Sequence, residues 1–254
     1  MGERKRGAAQ SASVWLTRPA RQPGPPGLSR VRIVRTAVEL LDAEGLQALS
    51  MRRVATQLNA GHMSLYWHVA TKGELLELAL DEVFGEVVAP PDGLPWDEQL
   101  CALAGSLRAV FARHRWAARL IGEYLNIGPN ALRMTDTALR VASGSGLAPD
   151  QTDSAAALVL EYVCGFATAE TRMIENAAKA ERNGEQPADE GFAEVSNAVR
   201  SGLTEFATLR ELASRDIGTA TEIRDRNFAF GLQCIIAGLR ALADSGETPA
   251  RDRP

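Results

Sequence analysis

The stretch "AGHMSLYWHV", residues 60–69, gathers two of the chain's three histidines beside Tyr66 and Trp67. Three kinds of chemistry could use these side chains. Imidazoles can bind a metal or move a proton, rings can fill a core, and a polar and aromatic face can touch another molecule. The spacing argues against a metal. His62 and His68 are six residues apart, off one helical face, with no cysteine or paired carboxylate nearby. The choice between core and contact surface depends on the elements that hold the stretch.

Those elements read as short helices. Ser29 is a plausible N-cap, and Val31, Val34, Val38 and Leu41 recur at steps of three and four, one apolar face. Gly45 is a natural stop. Ser50 can cap a second helix with Val54, Ala55 and Leu58 facing inward, and "NAG" at 59–61 is a short turn. A third helix runs from about His62 to His68. "TKGE" at 71–74 fits a capping box in which Glu74 reaches back, and a longer helix follows with Leu75, Leu76, Leu78, Ala79, Val83 and Val87 apolar. Three short helices joined by tight turns, the third carrying polar and aromatic residues, describe a helix-turn-helix unit. Leu65 would join the inner contacts. His62, Met63, Ser64, Trp67 and His68 would form the outward face that enters a major groove. Tyr66 and Lys72 can reach phosphates, although the Tyr66 ring could equally be core with only its hydroxyl outward.

"PPDGLP" at 90–95 marks a hinge, and the chain beyond it still reads helical. Candidate helices span Trp96 to Arg113, a short piece near 116–124, and a piece from "NIGPN" to about Ala142. After the break "GSGLAP", a long helix runs from Asp150 to Lys179 with Leu158, Tyr162, Phe166 and Met173 apolar. An acidic polar segment at 181–191 and shorter helical pieces at 191–214 precede a last helix, Thr221 to Asp244. That helix carries Phe228, Leu232, Ile235, Leu239 and Leu242 at helical spacing. Period-two strands are absent, so the class is all-α. The expected organisation is a disordered basic tail over 1–27, a helix-turn-helix domain over 28–88, a second all-α domain over 96–246, which the resemblance described below implies to be the ligand-binding and dimerisation domain, and a short tail over 247–254.

Composition agrees with a globular chain: 45% hydrophobic and 24% charged residues. No uninterrupted apolar run approaches the roughly 18 residues of a membrane span, and the N-terminus lacks the apolar core of a secretory signal. Cys101, Cys164 and Cys234 are scattered in apolar settings, which suits small core residues in a reducing cytoplasm. The net charge of −4 hides an asymmetry: residues 1–27 carry five Lys or Arg against one Asp or Glu, and residues 28–72 carry six against three. The remaining 182 residues carry 17 basic against 28 acidic side chains. A basic N-terminal part points to an anionic partner.

The run "LSMRRVATQLNAGHMSLYWHVATKGELLELAL" resembles the N-terminal domain of the TetR family of repressors, with "LYWHVATK" at 65–72 matching its Leu-Tyr-Trp-His-x-x-x-Lys hallmark. "FAFGLQCIIAGLRAL", 228–242, is similar to the last helix of the tetracycline-repressor branch. The resemblance implies a homodimer that binds a palindromic double-stranded DNA operator and releases it when a small-molecule effector binds the C-terminal domain. By position it also implies roles for side chains. Arg52 and Arg53 would contact phosphate or base, and His62, Met63 and Ser64 would meet base edges. Tyr66, His68 and Lys72 would hold the backbone, and Trp67 would lie against sugar or a thymine methyl. One departure is Asn59-Ala60, where the family has a Gly-initiated turn; Asn tolerates the left-handed conformation.

The tetracycline branch chelates a magnesium–drug complex with histidines. Here His114 is the single histidine past residue 68, and Leu120 or Ile121 stands near the key ligand position. No metal or cofactor is expected. His114, in "ARHRWAAR", reads as a solvated helix end. A pocket in a helical bundle should be largely apolar with a few polar groups. Its candidates are Trp116, Leu120, Glu123, Tyr124, Asn126, Met134, Tyr162, Phe166 and Glu170, each of which could instead be plain core. The expected effector is a largely apolar small molecule. The helices near 150–179 and 221–244 could pair with a second copy as a four-helix bundle, with Gly231 and Gly238 allowing close approach. Packing only within one subunit is the alternative.

Other functions fit less well. An all-α enzyme would need a nucleophile elbow, a phosphate loop or a metal cluster, and none is present in the sequence. A dimeric small-molecule-binding protein without DNA binding would predict a damaged reader, whereas "MSLYWHV" is intact. Arg4, Lys5 and Arg6 could enter a minor groove as basic arms do, or lie idle in the tail.

Overall fold

The structure is a computed structural model that describes residues 13–16, 28–182, 206, 208, 211 and 218–245. The basic tail apart from 13–16, the acidic segment beyond Arg182, nearly all of the expected pieces over 191–214 and the C-terminal tail lie outside the described residues. Among the described residues there is no β-strand. The chain divides into two compact units, Met1–Ala142 and Ser143–Pro254.

In the first unit, α1 (Arg30–Glu44) starts where the Arg32 N–H donates to Ser29 Oγ at 3.2 Å. It stops at Gly45, whose φ of 77° suits glycine. Its buried face is Ile33, Val34, Ala37, Leu40 and Leu41, turned against α4 (Lys72–Phe84). The expected row differs, because Val31 is 55% exposed. Two overlapping apolar stripes run along this helix, and packing on α4 selects the one through Ile33. α2 (Met51–Gln57) buries Val54, Ala55 and the following Leu58, as its pattern requires. Asn59 takes the turn at φ 50°. α3 (His62–Tyr66) is shorter than expected, with Trp67 and His68 in the turn that follows.

At the start of α4, Thr71 Oγ1 accepts from the Glu74 N–H at 3.0 Å. The Glu74 carboxylate reaches one residue further back than expected, accepting from the Ala70 N–H at 2.8 Å. α5 (Trp96–Arg113), α6 (Arg115–Leu120) and α7 (Pro129–Ser143) complete the unit. Asp81, buried in the middle of α4, caps α7 by accepting from the Asn130 and Ala131 N–H groups at 3.1 and 3.0 Å. A carboxylate at a helix N-terminus satisfies unpaired donors and meets the positive end of the dipole. Gly128 makes this possible, since a β-carbon there would collide with the Asp81 carboxylate.

In the second unit, α8 (Pro149–Arg182) buries a row of small residues, Ala155, Ala156, Val159, Val163 and Ala167. Leu158 and Met173 lie on another face and are 45% and 49% exposed, against the expected stripe. α9 (Ala220–Ser245) buries Phe228, Leu232, Ile236 and Leu239, while Leu242 is exposed. By length and composition α9 is the one described helix that could cross a membrane, although no uninterrupted apolar run marks it in the sequence. The cysteines are not all core: Cys101 and Cys164 are half-buried and Cys234 is exposed.

Candidate functional site

The reader is built on two anchors. Leu65 and Val69, four residues apart, are fully buried and hold α3 and its following turn against the unit. The opposite side then faces solvent by helical geometry. Met63 is 71% exposed, Trp67 55% and Tyr66 38%. The Tyr66 ring therefore stands on the surface, edge-on to His62 at 5.1 Å between centroids. His62 is exposed, and Ser64 and His68 are half-buried. Arg52 and Lys72 are exposed at the N-terminal ends of α2 and α4, and Lys72 Nζ donates to the Leu46 carbonyl at 3.4 Å. Arg53 is exposed but occupied, its guanidinium donating through both terminal nitrogens to the two Glu44 oxygens, one at 2.7 Å. The nine nominated residues thus gather around α3 and the starts of α2 and α4. Exposed apolar and aromatic side chains with flanking cations are what a major groove accepts.

The nominated pocket residues fall into two sets, one in each unit. In the first, Trp116 and Leu120 are buried on α6, and the Trp116 Nε1–H donates to Asp42 Oδ1 at 2.7 Å. Glu123 is exposed and Met134 half-buried. Tyr124 is half-buried with its hydroxyl beside Gly73 at the start of α4, and burial, with lesser contributions from Glu123 and Glu77, pushes its phenol up. Asn126, at φ 49°, donates through Nδ2 to the Ile121 and Tyr124 carbonyls at 2.7 and 3.0 Å. Its Oδ1 is buried and accepts from no described group. In the second unit, Tyr162 stacks on Phe228 and Phe166 meets Phe228 edge-on, at 5.6 and 5.1 Å between ring centroids. Glu170 pairs with Arg224 at 3.5 Å.

Tyr162 depends on Gly231. A β-carbon there would strike the phenol, and the hydroxyl donates to the Phe228 carbonyl at 2.9 Å. Gly231 therefore serves an approach inside the subunit, whereas Gly238 has nothing within 4 Å.

His114 departs from the sequence expectation. It is 3% exposed, with Nδ1 2.8 Å from Asp42 Oδ1 and Nε2 3.1 Å from Glu86 Oε2. It joins α1, the end of α4 and the α5–α6 junction rather than ending a helix in solvent. Burial alone would raise the Glu86 carboxyl, but hydrogen bonds to and the charges of His114 and Arg113 outweigh it and hold Glu86 low. Sequence spacing carries no trace of this cluster, because its members come from residues 42, 86 and 114. The residues do not fit a magnesium–drug centre. Both His114 nitrogens are engaged by carboxylates, and no group of three His, Cys, Asp or Glu among the described residues could hold a metal.

The model for the tetR family of bacterial regulatory proteins matches residues 33–79, and that for the tetracyclin repressor-like C-terminal domain matches residues 89–243. The chain is 34% identical over 236 residues to the HTH-type transcriptional repressor DrrR1 of Streptomyces coeruleorubidus, covering 90% of this chain and 84% of that one. It is 40% identical over 160 residues to an HTH-type transcriptional regulator of Saccharopolyspora erythraea, covering 63% of this chain and 68% of that one. The crystal structure of the Streptomyces coelicolor TetR family protein ActR in complex with actinorhodin superposes with a TM-score of 0.72 at 33% identity, covering 88% of this chain and 100% of ActR. The chain belongs to the tetR family of bacterial regulatory proteins and is a helix-turn-helix transcriptional repressor.

Proposed function

We propose that this ligand-responsive repressor grips a palindromic operator as a homodimer and releases it when a largely apolar, ring-bearing small molecule binds. The exposed face of α3, held by the fully buried Leu65 and Val69, carries the reading. His62, Met63 and Ser64 meet base edges, and Trp67 lies on sugar or a thymine methyl. Tyr66, His68, Lys72, Arg52 and Arg53 address the phosphates, Arg53 by exchanging Glu44 for DNA. Such a protein acts where the chromosome is, in the cytoplasm. Residues 28–88 form the reading domain and 96–246 the effector and dimer domain.

Two observations support the dimer. Only 22% of the most apolar window of α9 is buried, and Phe230 is 66% exposed on the side where Gly238 lies open. A second copy would cover that face. The effector class is supported by half-buried rings, Tyr124 in one unit and Tyr162 and Phe166 in the other. The actinorhodin-bound relative is consistent with it. The buried Asn126 Oδ1 would accept from an effector hydroxyl.

A gel shift on the DNA flanking the chain's own gene, with random DNA as competitor, tests the reading. A specific, salt-sensitive shift that hydroxylated polycyclic aromatics abolish is the expected result. No shift, and no sequence enriched from a random pool, would leave a ligand-binding dimer without DNA binding.

A further inference from the structure

The short segment Ser13–Leu16 is seated on α4. The Ser13 hydroxyl donates to Glu77 Oε1, and the Val14 N–H donates to Glu77 Oε2 at 2.9 Å, so one carboxylate takes donors from two successive residues. The segment is itself a tight turn, with the Leu16 N–H on the Ser13 carbonyl at 3.0 Å and the Trp15 N–H on Ser13 Oγ at 3.3 Å. Trp15 passes over Gly128, its Cζ2 only 2.8 Å from where a β-carbon would stand. Glu77 is 5% exposed in the middle of an apolar helix, where an unsatisfied carboxylate would be expensive. One turn further along α4, Asp81 caps α7 beside the same glycine.

We infer that Ser13–Leu16 is an intramolecular ligand of α4, a strap that clamps α4 to the loop before α7 and so preorganises the DNA reader. α4 receives α1 on one side and begins directly after the α3 turn. A clamped α4 holds the reader in one orientation. An unclamped α4 must be ordered when DNA binds, and affinity falls by the cost of that ordering. The role rests on the operator-binding reading; the docking does not.

The test uses the full chain and the Ser13→Ala/Trp15→Ala double variant. Three results are expected. A synthetic peptide of residues 9–18 binds the variant but not the wild type, whose site is filled. Amide exchange across α4 and at Asn130 and Ala131 becomes faster in the variant. Operator affinity drops roughly three- to tenfold, the scale of one or two side chains ordered on binding, with an unchanged salt slope. Failure of the peptide to bind together with unaltered exchange would overturn the docking. Unchanged operator affinity would overturn the preorganising role. A shallower salt slope would overturn it too, because the N-terminal segment would then touch phosphate directly. A wild-type chain with no operator affinity would sink the repressor reading, while peptide and exchange would still decide the strap.

Discussion

Of the exposed faces that carry large apolar side chains among the described residues, the one on α3 and the one on α9 keep different company. On α3, Met63 and Trp67 stand at 71% and 55% exposure among His62, Arg52 and Lys72. On α9, Phe230 stands at 66% exposure beside Cys234 and the open Gly238. Apolar contact mixed with cations suits a groove whose floor carries thymine methyls and whose walls carry phosphates. On α9 the row Phe230, Cys234, Gly238 and Leu242 carries one cation, the exposed Arg226 at its N-terminal end, and so long an apolar row suits its own kind, since a second α9 can remove it from water. Similar exposure thus points to different partners because the neighbouring charges differ.

The largest effect that would sharpen this comparison lies under the reader. Leu65→Ala should cost about 2–5 kcal/mol, the range for emptying a filled core site, and should abolish specific DNA binding before it unfolds the chain. Urea denaturation followed in parallel with operator binding tests the pairing. Full-strength DNA binding in this variant would mean that the anchor does not set the reading face.

On the other face, Phe230→Glu should separate the dimer with a loss of about 2 kcal/mol or more, the scale of a buried aromatic anchor. Sedimentation should then report a monomer, and Cys234 should alkylate faster. The half-buried Cys164 is a useful internal control: burial, with Glu161 nearby, pushes its thiol up to about 12, so it should stay slow in both states. An unchanged dimer would move the interface elsewhere.

A glycine pair divides α9 more finely. Gly231→Ala should lower the stability of the subunit itself by about 1–3 kcal/mol, because the new methyl meets Tyr162. Gly238→Ala should leave the subunit alone and weaken only the dimer. Equal thermal shifts for the two would contradict the assignment of one glycine inward and the other outward.

Within the reader, Ser64→Ala should change preference at one base pair by about 1 kcal/mol, at the low end of what a base contact contributes. A selection from randomised half-sites would show one relaxed position. Lys72→Ala should have the smallest effect: a uniform weakening on all sequences and a salt slope shallower by about one unit. A sequence-dependent loss at Lys72 would exchange the two roles.

Much of the reader was legible because its determinants are local. Ser29, Ser50 and Thr71 cap the helices that follow them, Asn59 makes the turn, and Leu65 turns inward as its helical position requires. Each of these signals lies within one or two turns of the residues it governs, and side-chain direction follows directly from helical geometry. The ends of Trp96–Arg113 were equally readable, whereas the short helix expected near 116–124 stops at Leu120.

Where two apolar stripes overlapped, periodicity could not choose. On α1 the buried row runs through Ile33 and not Val31, and on α8 the small residues are buried while Leu158 and Met173 are exposed. That choice belongs to whatever packs on the helix, which is a property of the tertiary structure. The same holds for the polar groups. His114 became a buried link because Asp42 and Glu86, 72 and 28 residues away, arrive at its two nitrogens. Glu77 became the seat of Ser13 and Val14 across more than 60 residues. By itself the sequence determined the helices, their caps and the exposed face of α3, whose causes act within a few residues. Only the tertiary structure decided which stripe is core and which charges are buried, because burial is settled by partners that are distant along the chain.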